Sequence, residues 1–428
     1  MSVSAEDPRE LGHLFRREAG RMVAALVRIF GLHNLALAED VVQDALCRAL
    51  EIWKYGPLPE NPSAWLMAAA KNRAIDVLRN EKRSRAFAPD VGFLLETEWT
   101  LVPTVTALFD EHEVRDDQLR MMFSCCHPKL PAIGQVTLIL NVLCGFSVAE
   151  IAGAFLTNEA AVEKRLQRAK KSVARSEALY EVAGAKDLGA RIDAVERALY
   201  LLFNEGYHGA HPHLTVRSEL CEEAMRLTGL LLSHPACARK ETSALLALMC
   251  LHTARLSARV DRAGDLAALP DQDRSLWDKD LIARGLALLD ESASGPFVCE
   301  YQIEAAIAAV HCTAPSYAET DWKTIVRLYD SLYEMSPSPV VALSRAIAHG
   351  QVEGPERGID ELERIADRKR LDHYPFYAAA LGEFCLSAGR TREAKDHFLR
   401  ARSLARNPAE ERFLDRKLAL FDAAAHAG

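Results

Sequence analysis

Apolar residues recur every three or four positions along most of the chain, the spacing that gathers them on one face of a helix. In the N-terminal part this spacing predicts one helix over about residues 11–31 and a second over about residues 36–53. The Gly- and Pro-rich residues 55–62 end the second helix, and a third is predicted over about residues 62–85. The chain is therefore expected to begin with three helices.

A compact pair of short helices is predicted further along. Helical periodicity returns over residues 117–126 and again over about residues 133–144, and it is followed by two short helices over residues 147–155 and 159–173. Only a Leu-Thr-Asn turn separates the last two. Two helices joined by such a tight turn are typical of a helix-turn-helix, a unit that many DNA-binding proteins use.

The second helix of this pair has distinct inner and outer faces. Val162, Leu166 and Ala169 form the stripe that is expected to face inward. The side chains expected to face outward are those of Lys164, Arg165, Gln167, Arg168, Lys170 and Lys171. A helix of this kind enters the major groove, with its N-terminal residues at base edges and its later basic residues at phosphates. The base-contacting candidates are Glu159, Ala161, Glu163 and Lys164. The alternative is a solvated basic face on an ordinary helix, the commoner fate of a run of charge.

The C-terminal half carries helical periodicity from about residue 186 to the end, interrupted by Gly- and Pro-containing breaks. The last predicted helix pair resembles a tetratricopeptide repeat (TPR) in its alternation of small and large residues at Leu381, Gly382, Gly389, Ala394, Phe398 and Ala401. A looser version lies upstream, in residues 340–365. Because a lone pair cannot bury its apolar face, we expect a stacked helical array.

Composition supports an all-α fold. The chain has 428 residues, room for about three domains, and its low aromatic content of 7% argues against a barrel or sandwich of many short strands. We therefore expect two small helical domains followed by a C-terminal α-helical array with TPR-like pairs. The predicted divisions are a first domain at 1–86, an acidic linker at 87–116, a helix-turn-helix domain at 117–178, a helical extension at 186–335 and TPR-like repeats at 336–428.

Charge is unevenly distributed. The formal net charge of −8 argues against a surface that binds nucleic acid everywhere. Basic residues nevertheless concentrate in residues 71–85 and 164–175, whereas residues 86–120 are mostly acidic. Two separate basic helices suit a protein that contacts one duplex at two spaced sites. Taken alone, the basic segment at residues 71–85 is the weaker evidence for DNA binding, because basic residues near a helix C-terminus also complement the helix dipole.

The cellular setting is expected to be the cytosol. No stretch reaches the roughly 18 uninterrupted apolar residues of a membrane span, and the N-terminal residues carry acids and a proline where a secretory signal has a basic start and an apolar core. The ten cysteines form no CxxC pair and mostly lie within apolar runs. We interpret them as reduced thiols of the core rather than as a disulfide framework.

Three segments resemble bacterial sigma factors. The string Ala38-Glu-Asp-Val-Val-Gln-Asp-Ala-Leu-Cys-Arg-Ala-Leu50 resembles their region 2.2, and Pro62-Ser-Ala-Trp-Leu-Met-Ala-Ala-Ala-Lys-Asn-Arg-Ala-Ile-Asp-Val-Leu-Arg79 resembles regions 2.3 and 2.4. The helix-turn-helix resembles region 4.2. With few residues before Leu11 and no region 3, the chain resembles the extracytoplasmic-function (ECF) type of the sigma-70 family. Residues 121–128, 199–207 and 328–343 further resemble the ECF subgroup with a long, TPR-like C-terminal extension.

The resemblance implies partners and residue roles. Core RNA polymerase would bind the helix that contains residues 39–48, with Asp40, Gln43, Asp44 and Arg48 as the exposed candidates. A solvated amphipathic face is the alternative for these residues. The −10 promoter element would lie near Lys71, Asn72, Arg73, Asp76, Arg79 and Arg83, and the loop over residues 54–61, which includes Asn61, would hold a flipped base. Trp65 would either stack on a base or lie in the core. The −35 element would face Glu159, Ala161, Glu163, Lys164, Arg165, Gln167, Arg168 and Lys171.

Two residue clusters suggest a metal site or an enzyme. One combines Glu205, His208, His211, His213 and Cys221, and the other is the run of residues 125–127. Adjacent residues rarely converge on one tetrahedral ion, and no CxxC or HxxxH supplies further ligands. No nucleotide-binding loop or GxSxG motif accompanies them. We expect no metal, no cofactor and no enzymatic activity.

The predicted function is therefore that of a sigma factor that binds core RNA polymerase and promoter DNA and promotes melting. Its C-terminal helical array would regulate activity in cis or bind a protein or peptide. The alternative is a one-component helix-turn-helix regulator, which has a sensing domain and no role in melting.

Overall fold

The computed structural model describes residues 8–30, 34–54, 57–81, 117–126, 130–174, 185–208, 216–260, 265–295 and 298–426. Apart from one isolated bridge between Val260 and Leu266, these ranges contain no β-structure. The expectation of an all-α fold is confirmed. Within the same ranges, no helix combines the length and apolar composition needed to span a bilayer.

The chain divides into two compact units, residues 1–202 with 233–237, and residues 203–232 with 238–428. The helices of the first unit are α1 (Pro8–Phe30), α2 (Leu35–Trp53), α3 (Pro62–Glu81), α4 (Asp117–Cys125), α5 (Ala132–Val142), α6 (Val148–Ala154) and α7 (Glu159–Ala174), with most of α8 (Ala185–His208). The observed bounds agree with the predicted ones to within a few residues, except that residues 82–85 of the predicted third helix and the whole predicted linker lie outside the described residues.

The first three helices pack on one another in a small bundle. Their core is formed by fully buried residues such as Met22, Ala38, Ala45 and Leu66. Small residues at Ala38 and Ala45 let α2 approach its neighbours closely.

The helix-turn-helix is formed by α6 and α7, and α7 also packs on α5. Val162, Leu166 and Ala169 are buried, which confirms the predicted inner stripe. Ser147 and Glu150 form a capping box at the start of α6, in which the Ser147 side chain accepts from the Glu150 amide at 3.2 Å and Glu150 accepts from the Ser147 amide at 2.7 Å. Reciprocal capping of this kind fixes where a helix begins.

Close contacts join these two helical groups within the first unit. A side chain at Gly20 of α1 would overlap the backbone carbonyl of Leu143, just after α5. Arg16 donates to Glu150 at 3.2 Å. Helix α1 therefore lies directly against the segment that precedes the helix-turn-helix and against its first helix.

The second unit contains the end of α8 followed by further helices in sequence. These are α9 (Ser218–Ser233), α10 (Lys240–Thr253), α11 (Leu256–Arg259), α12 (Lys279–Ser292), α13 (Glu300–Thr313), α14 (Trp322–Met335), α15 (Pro339–Glu353), α16 (Pro355–Glu363), α17 (Pro375–Ser387), α18 (Thr391–Ser403) and α19 (Pro408–His426), with short 3-10 turns at Leu269–Asp271, Arg274–Leu276 and Arg368–Leu371. From α13 onward each helix packs on the next. The array is continuous because each helix pair covers the apolar face of its neighbour.

The helix pairs that the sequence predicts in this part of the chain are present as α15 with α16 and α17 with α18. A Cβ atom at Gly382 would lie 3.1 Å from the Phe398 ring, and one at Gly350 would overlap the Phe384 ring. Gly358 of α16 meets the same ring. An added side chain would displace the Phe384 ring at Gly350 and Gly358, whereas at Gly382 the Phe398 ring would have to yield by a few tenths of an ångström.

Candidate nucleic-acid interface

The outer face of α7 is continuous, exposed and basic. It comprises Ala160, Glu163, Lys164, Gln167, Arg168 and Lys171, all exposed and spaced by three or four residues. The start of the helix is fixed by Asn158, whose side-chain oxygen accepts from the Ala161 amide at 2.9 Å. These residues, which we call the α7 outer face, present three cations and one acid to solvent from a rigid helix.

The other residues predicted on α7 have different environments. Glu159 is exposed, whereas Ala161 and Arg165 are half-buried. Lys170, which was also expected to face solvent, is half-buried, and its ammonium group donates to both carboxylate oxygens of Glu39, at 2.7 and 2.9 Å. Lys170 lies at the edge of the inner stripe, where α7 meets α2. Single-helix periodicity does not show that another helix passes there.

Helix α2 has one buried and one exposed face. The residues predicted to bind polymerase, Asp40, Gln43, Asp44 and Arg48, are all exposed and lie on the same face, which we call the α2 outer face. Near its end, Leu50 is 51% exposed and Ile52 is 44% exposed. Both side chains are therefore accessible at the end of α2. These two residues were missed in the sequence, although apolar positions out of phase with the buried stripe provide a signal.

Helix α3 exposes Lys71, Asn72, Arg73 and Asp76. Arg73 donates to Asp44 of α2 at 2.8 Å, so a residue predicted to contact DNA is paired with one predicted to contact polymerase. The side chain of Arg79 and all of Arg83 lie outside the described residues.

The start of α3 combines a cap and an aromatic pair. The Asn61 side chain accepts from the Ala64 amide at 3.0 Å. Trp65 is half-buried, with its ring 5.3 Å from that of Trp53. Trp65 thus combines core packing with partial exposure, and the contact with Trp53 fixes the start of α3 against the end of α2.

The two clusters considered for metal binding are only partly described, since His127, His211 and His213 lie outside the described residues. Within the described part, no group of three ligand-type residues has metal-binding geometry. Glu205 accepts from Arg217 at 2.7 Å. Burial raises the pKa of the Cys126 thiol to about 12, and burial is likewise the main cause that raises the pKa of Cys221 to about 12. The ten cysteines form no disulfide and seven are buried, which agrees with the interpretation as core thiols.

Comparison with known proteins gives three family matches. Residues 14–84 match sigma-70 region 2, and residues 120–173 match sigma-70 region 4. Residues 191–293 match a family of unknown function, DUF6596. These three segments contain α1 to α3, the helix-turn-helix and the beginning of the helical extension.

One relative matches nearly the whole chain. An uncharacterized protein of Rhizobium meliloti (strain 1021) is 39% identical over 399 residues, which cover 92% of each chain. No solved structure matches.

Proposed function

Because the chain belongs to the ECF-type sigma factors of the sigma-70 family, with a long C-terminal helical extension, we propose that its first unit divides promoter recognition between two exposed helical surfaces and uses a third to bind polymerase. Sigma factors act in promoter recognition and transcription initiation, with core RNA polymerase and promoter DNA as partners. The assignment of residues to these tasks is the proposal.

The α7 outer face is proposed to recognise the −35 element. Its exposed cations are separated by about one helical turn, as a helix lying in the major groove requires. Glu159, Glu163 and Lys164 lie in the first two turns and would contact base edges, whereas Arg168 and Lys171 would contact phosphates. This exposed face is the observation that carries the proposal.

Helix α3 and the loop before it are proposed to act at the −10 element. Lys71, Asn72 and Arg73 are exposed on one stretch of α3, and Asn61 and Trp65 lie at its start. A base extruded from the duplex needs a preformed pocket, and a fixed helix start beside a half-exposed indole suits that need.

Core polymerase is proposed to cover the α2 outer face together with Leu50 and Ile52. Opening about a dozen base pairs at about 1.4 kcal/mol per stacking step costs on the order of 15 kcal/mol. Two short basic helices do not offset that cost alone, so melting requires the polymerase.

Two ion pairs should weaken the binding of DNA by the protein without polymerase. Arg73 is paired with Asp44, and Lys170 with Glu39. A cation that contacts a DNA phosphate must give up its carboxylate partner. We infer that polymerase binding at Asp44 releases Arg73 for DNA.

Transcription reconstituted from purified components tests these assignments. Core polymerase and the full-length protein are mixed with fragmented genomic DNA, and transcript 5′ ends are mapped by sequencing. We expect start sites downstream of two shared elements at a fixed spacing. The K164Q/R168Q/K171Q variant should lose at least about 100-fold of this transcription, since each base or phosphate contact contributes about 1–3 kcal/mol.

A matched control removes the same charge from the helical array. R364Q/K369Q/R392Q alters three exposed cations there and should leave transcription unchanged. Equal losses in both variants contradict the −35 assignment. Binding of one DNA element without polymerase, and no transcript with it, supports the one-component regulator instead.

The C-terminal extension is proposed to regulate the first unit in cis or through a bound partner. Gly350→Val tests this in the full chain, because the added side chain overlaps the Phe384 ring and disrupts the array. Gly229→Ala is the control, since nothing lies within 4 Å of a Cβ atom there. Transcription that is unchanged in extent while the array unfolds contradicts regulation by the extension.

A further inference from the structure

A cluster of cationic side chains lies inside the second unit, around the C-terminal ends of α10 and α13. The Arg255 cluster consists of His252, Arg255, Arg259, Arg274, Trp277 and His311. His252 and His311 lie in the last turns of α10 and α13, and Arg255 is the N-cap residue of α11. Helix α11 and the short turn at Arg274–Leu276 supply Arg259 and Arg274.

The three arginines of the cluster have no acidic partner among the residues that the structure describes. Arg255 is only 7% exposed, yet within the described ranges neither it nor Arg259 nor Arg274 forms an ion pair with a carboxylate. Elsewhere in this unit the buried Arg217 has Glu205 at 2.7 Å. Removing an ion from water is costly unless an opposite charge replaces the water. Arg274 Nη1 donates to the backbone carbonyls of His311 and Ala314, both at 2.7 Å, at the C-terminal end of α13. No carboxylate among the described residues pairs with the cluster as Glu205 pairs with Arg217.

The cluster also has unused hydrogen-bonding capacity. Among the described residues, each of the six side chains has a buried nitrogen atom without a hydrogen-bond partner: Nε of Arg255 and Arg259, Nη2 of Arg274, Nε1 of Trp277, and Nδ1 of His252 and His311. Most buried polar atoms in proteins are satisfied. The arginine and tryptophan nitrogens only donate, so these four call for an acceptor, whereas Nδ1 of a neutral histidine donates or accepts according to its tautomer.

The side chains are close enough to influence one another. Burial lowers the pKa of His311 to about 3, and the guanidinium groups of Arg255 and Arg274 contribute to that shift. Burial likewise lowers the pKa of His252, with Arg255 and Arg259 as the next causes. Arg255 therefore lies within electrostatic range of both histidines and of Arg274.

Aromatic contacts do not replace the missing acceptor. The Trp277 ring centroid lies 4.5 Å from the Arg274 guanidinium carbon and 5.4 Å from that of Arg255. Arg259 lies over the Tyr207 ring at 4.1 Å. The attraction between a cation and a ring face is weaker than the free-energy cost of removing the cation from water. It also leaves the N–H donors unsatisfied. These contacts order the guanidinium groups without neutralising them.

We propose that the Arg255 cluster binds a compact oxyanion, the phosphate or carboxylate group of a small metabolite. Guanidinium groups bind both oxyanions with two parallel hydrogen bonds, and the indole N–H supplies a further donor. The burial of Arg255 excludes a DNA duplex as the ligand. The C-terminal extension would then respond to a soluble anion, and a cation cluster that gains its counter-charge on binding would become more stable.

Thermal unfolding of the full chain tests the proposal. Titration with inorganic phosphate, and separately with citrate, is carried out at ionic strength held constant with chloride. We expect a saturable rise of Tm with at least one of the two, because a ligand that binds only the folded state stabilises it by mass action. The anion that acts at the lower concentration identifies the preferred oxyanion.

Two arginine variants separate specific binding from general salt effects. Arg255→Gln removes an uncompensated charge, so its Tm in chloride should equal or exceed that of the wild type, and the saturable shift should disappear. Arg345→Gln is the control, because Arg345 already has Asp330 at 2.6 Å and Glu361 at 3.2 Å. Its Tm should fall, and its response to the anion should remain.

The same experiment defines failure. The absence of a saturable shift with phosphate and citrate in the wild type overturns the proposal, and so does a shift that Arg255→Gln retains. If Arg255→Gln does not fold, Arg274→Gln replaces it, and equilibrium dialysis with radiolabelled phosphate or citrate measures binding directly. Binding of one anion per chain to the wild type and a loss of at least about tenfold in affinity in the variant support it; unchanged affinity contradicts it. None of these readouts depends on transcription, so they are independent of the promoter assignments.

Discussion

The α7 outer face and the Arg255 cluster use the same kinds of cations in opposite environments. Lys164, Arg168 and Lys171 remain in water, where a charge needs no fixed partner. Arg255 lies in the interior of a helical unit, near two histidines and without a carboxylate among the described residues. Exposed charge costs little and suits a large, intermittent partner such as DNA. Buried, uncompensated charge costs stability and suits a small partner that supplies the missing charge.

Substitution of a buried arginine that is paired with a carboxylate should affect stability differently from substitution of Arg255. Arg217→Ala removes the guanidinium group that donates to the buried Glu205 carboxylate at 2.7 Å. We expect the free energy of unfolding of the second unit to fall by about 3–5 kcal/mol. Denaturant titration followed by hydrogen exchange of α8 and α9 measures the loss. A loss below about 1 kcal/mol would remove the distinction between compensated and uncompensated burial.

The first unit should be more sensitive to packing than to its outer charges. Gly20→Ala adds a Cβ atom where the Leu143 carbonyl lies, and overpacking of this kind costs about 1–3 kcal/mol. Gly12→Ala is the matched control on the same helix, where nothing lies within 4 Å of a Cβ atom. Because alanine favours helix by about 1 kcal/mol over glycine, the control should be stabilised. The thermal transition of the first unit should shift in opposite directions in the two variants, and equal shifts would contradict the described contact.

Acid should destabilise the second unit through its neutral histidines. The pKa of His311 in the folded protein is about 3, below its usual value of about 6.5 in an unfolded chain. Its contribution to stability is present above about pH 6.5 and is lost as the pH falls toward 3, with a slope of about 1.4 kcal/mol per pH unit. Cys312 stays protonated throughout that interval, because burial raises its pKa to about 11.

His311→Gln should therefore reduce the pH dependence of the free energy of unfolding between pH 6 and pH 4 by about 1.4 kcal/mol per pH unit. Urea unfolding at several pH values measures it. His397→Gln is the control, since His397 lies on α18, away from the cluster residues. Identical pH profiles for wild type and His311→Gln would show that His311 is not buried in neutral form.

The smallest stability effect is expected on the α7 outer face. K164Q/R168Q/K171Q should change the free energy of unfolding by less than about 0.5 kcal/mol, because exposed substitutions away from packing contacts rarely do more. The same variant should lose nearly all promoter-directed transcription. A stability loss as large as that of Arg217→Ala would show that these cations have structural partners, and the contrast with the Arg255 cluster would fail.

The sequence was most informative where one helix alone determines the outcome. The stripe at Val162, Leu166 and Ala169 and the bounds of α2 were predicted because periodicity and Gly/Pro breaks are local properties. The pairing of Lys170 with Glu39 was missed, because it joins residues 131 positions apart. The Arg255 cluster was missed for the same reason, since its residues are spread over four segments, and nothing local distinguishes a buried arginine from an exposed one. The assignments of individual residues to DNA and polymerase remain predictions.

Promoter-directed transcription, reconstituted from purified core polymerase and the full-length protein, tests the central claim most directly. Purified core polymerase, the full-length protein and genomic fragments should yield transcripts whose start sites share two upstream elements. The K164Q/R168Q/K171Q variant should lose these transcripts while its thermal transition stays in place. If wild type and variant yield the same transcripts, or if the wild type yields none above core polymerase alone, the account of this chain as a sigma factor that recognises promoters through the α7 outer face is contradicted.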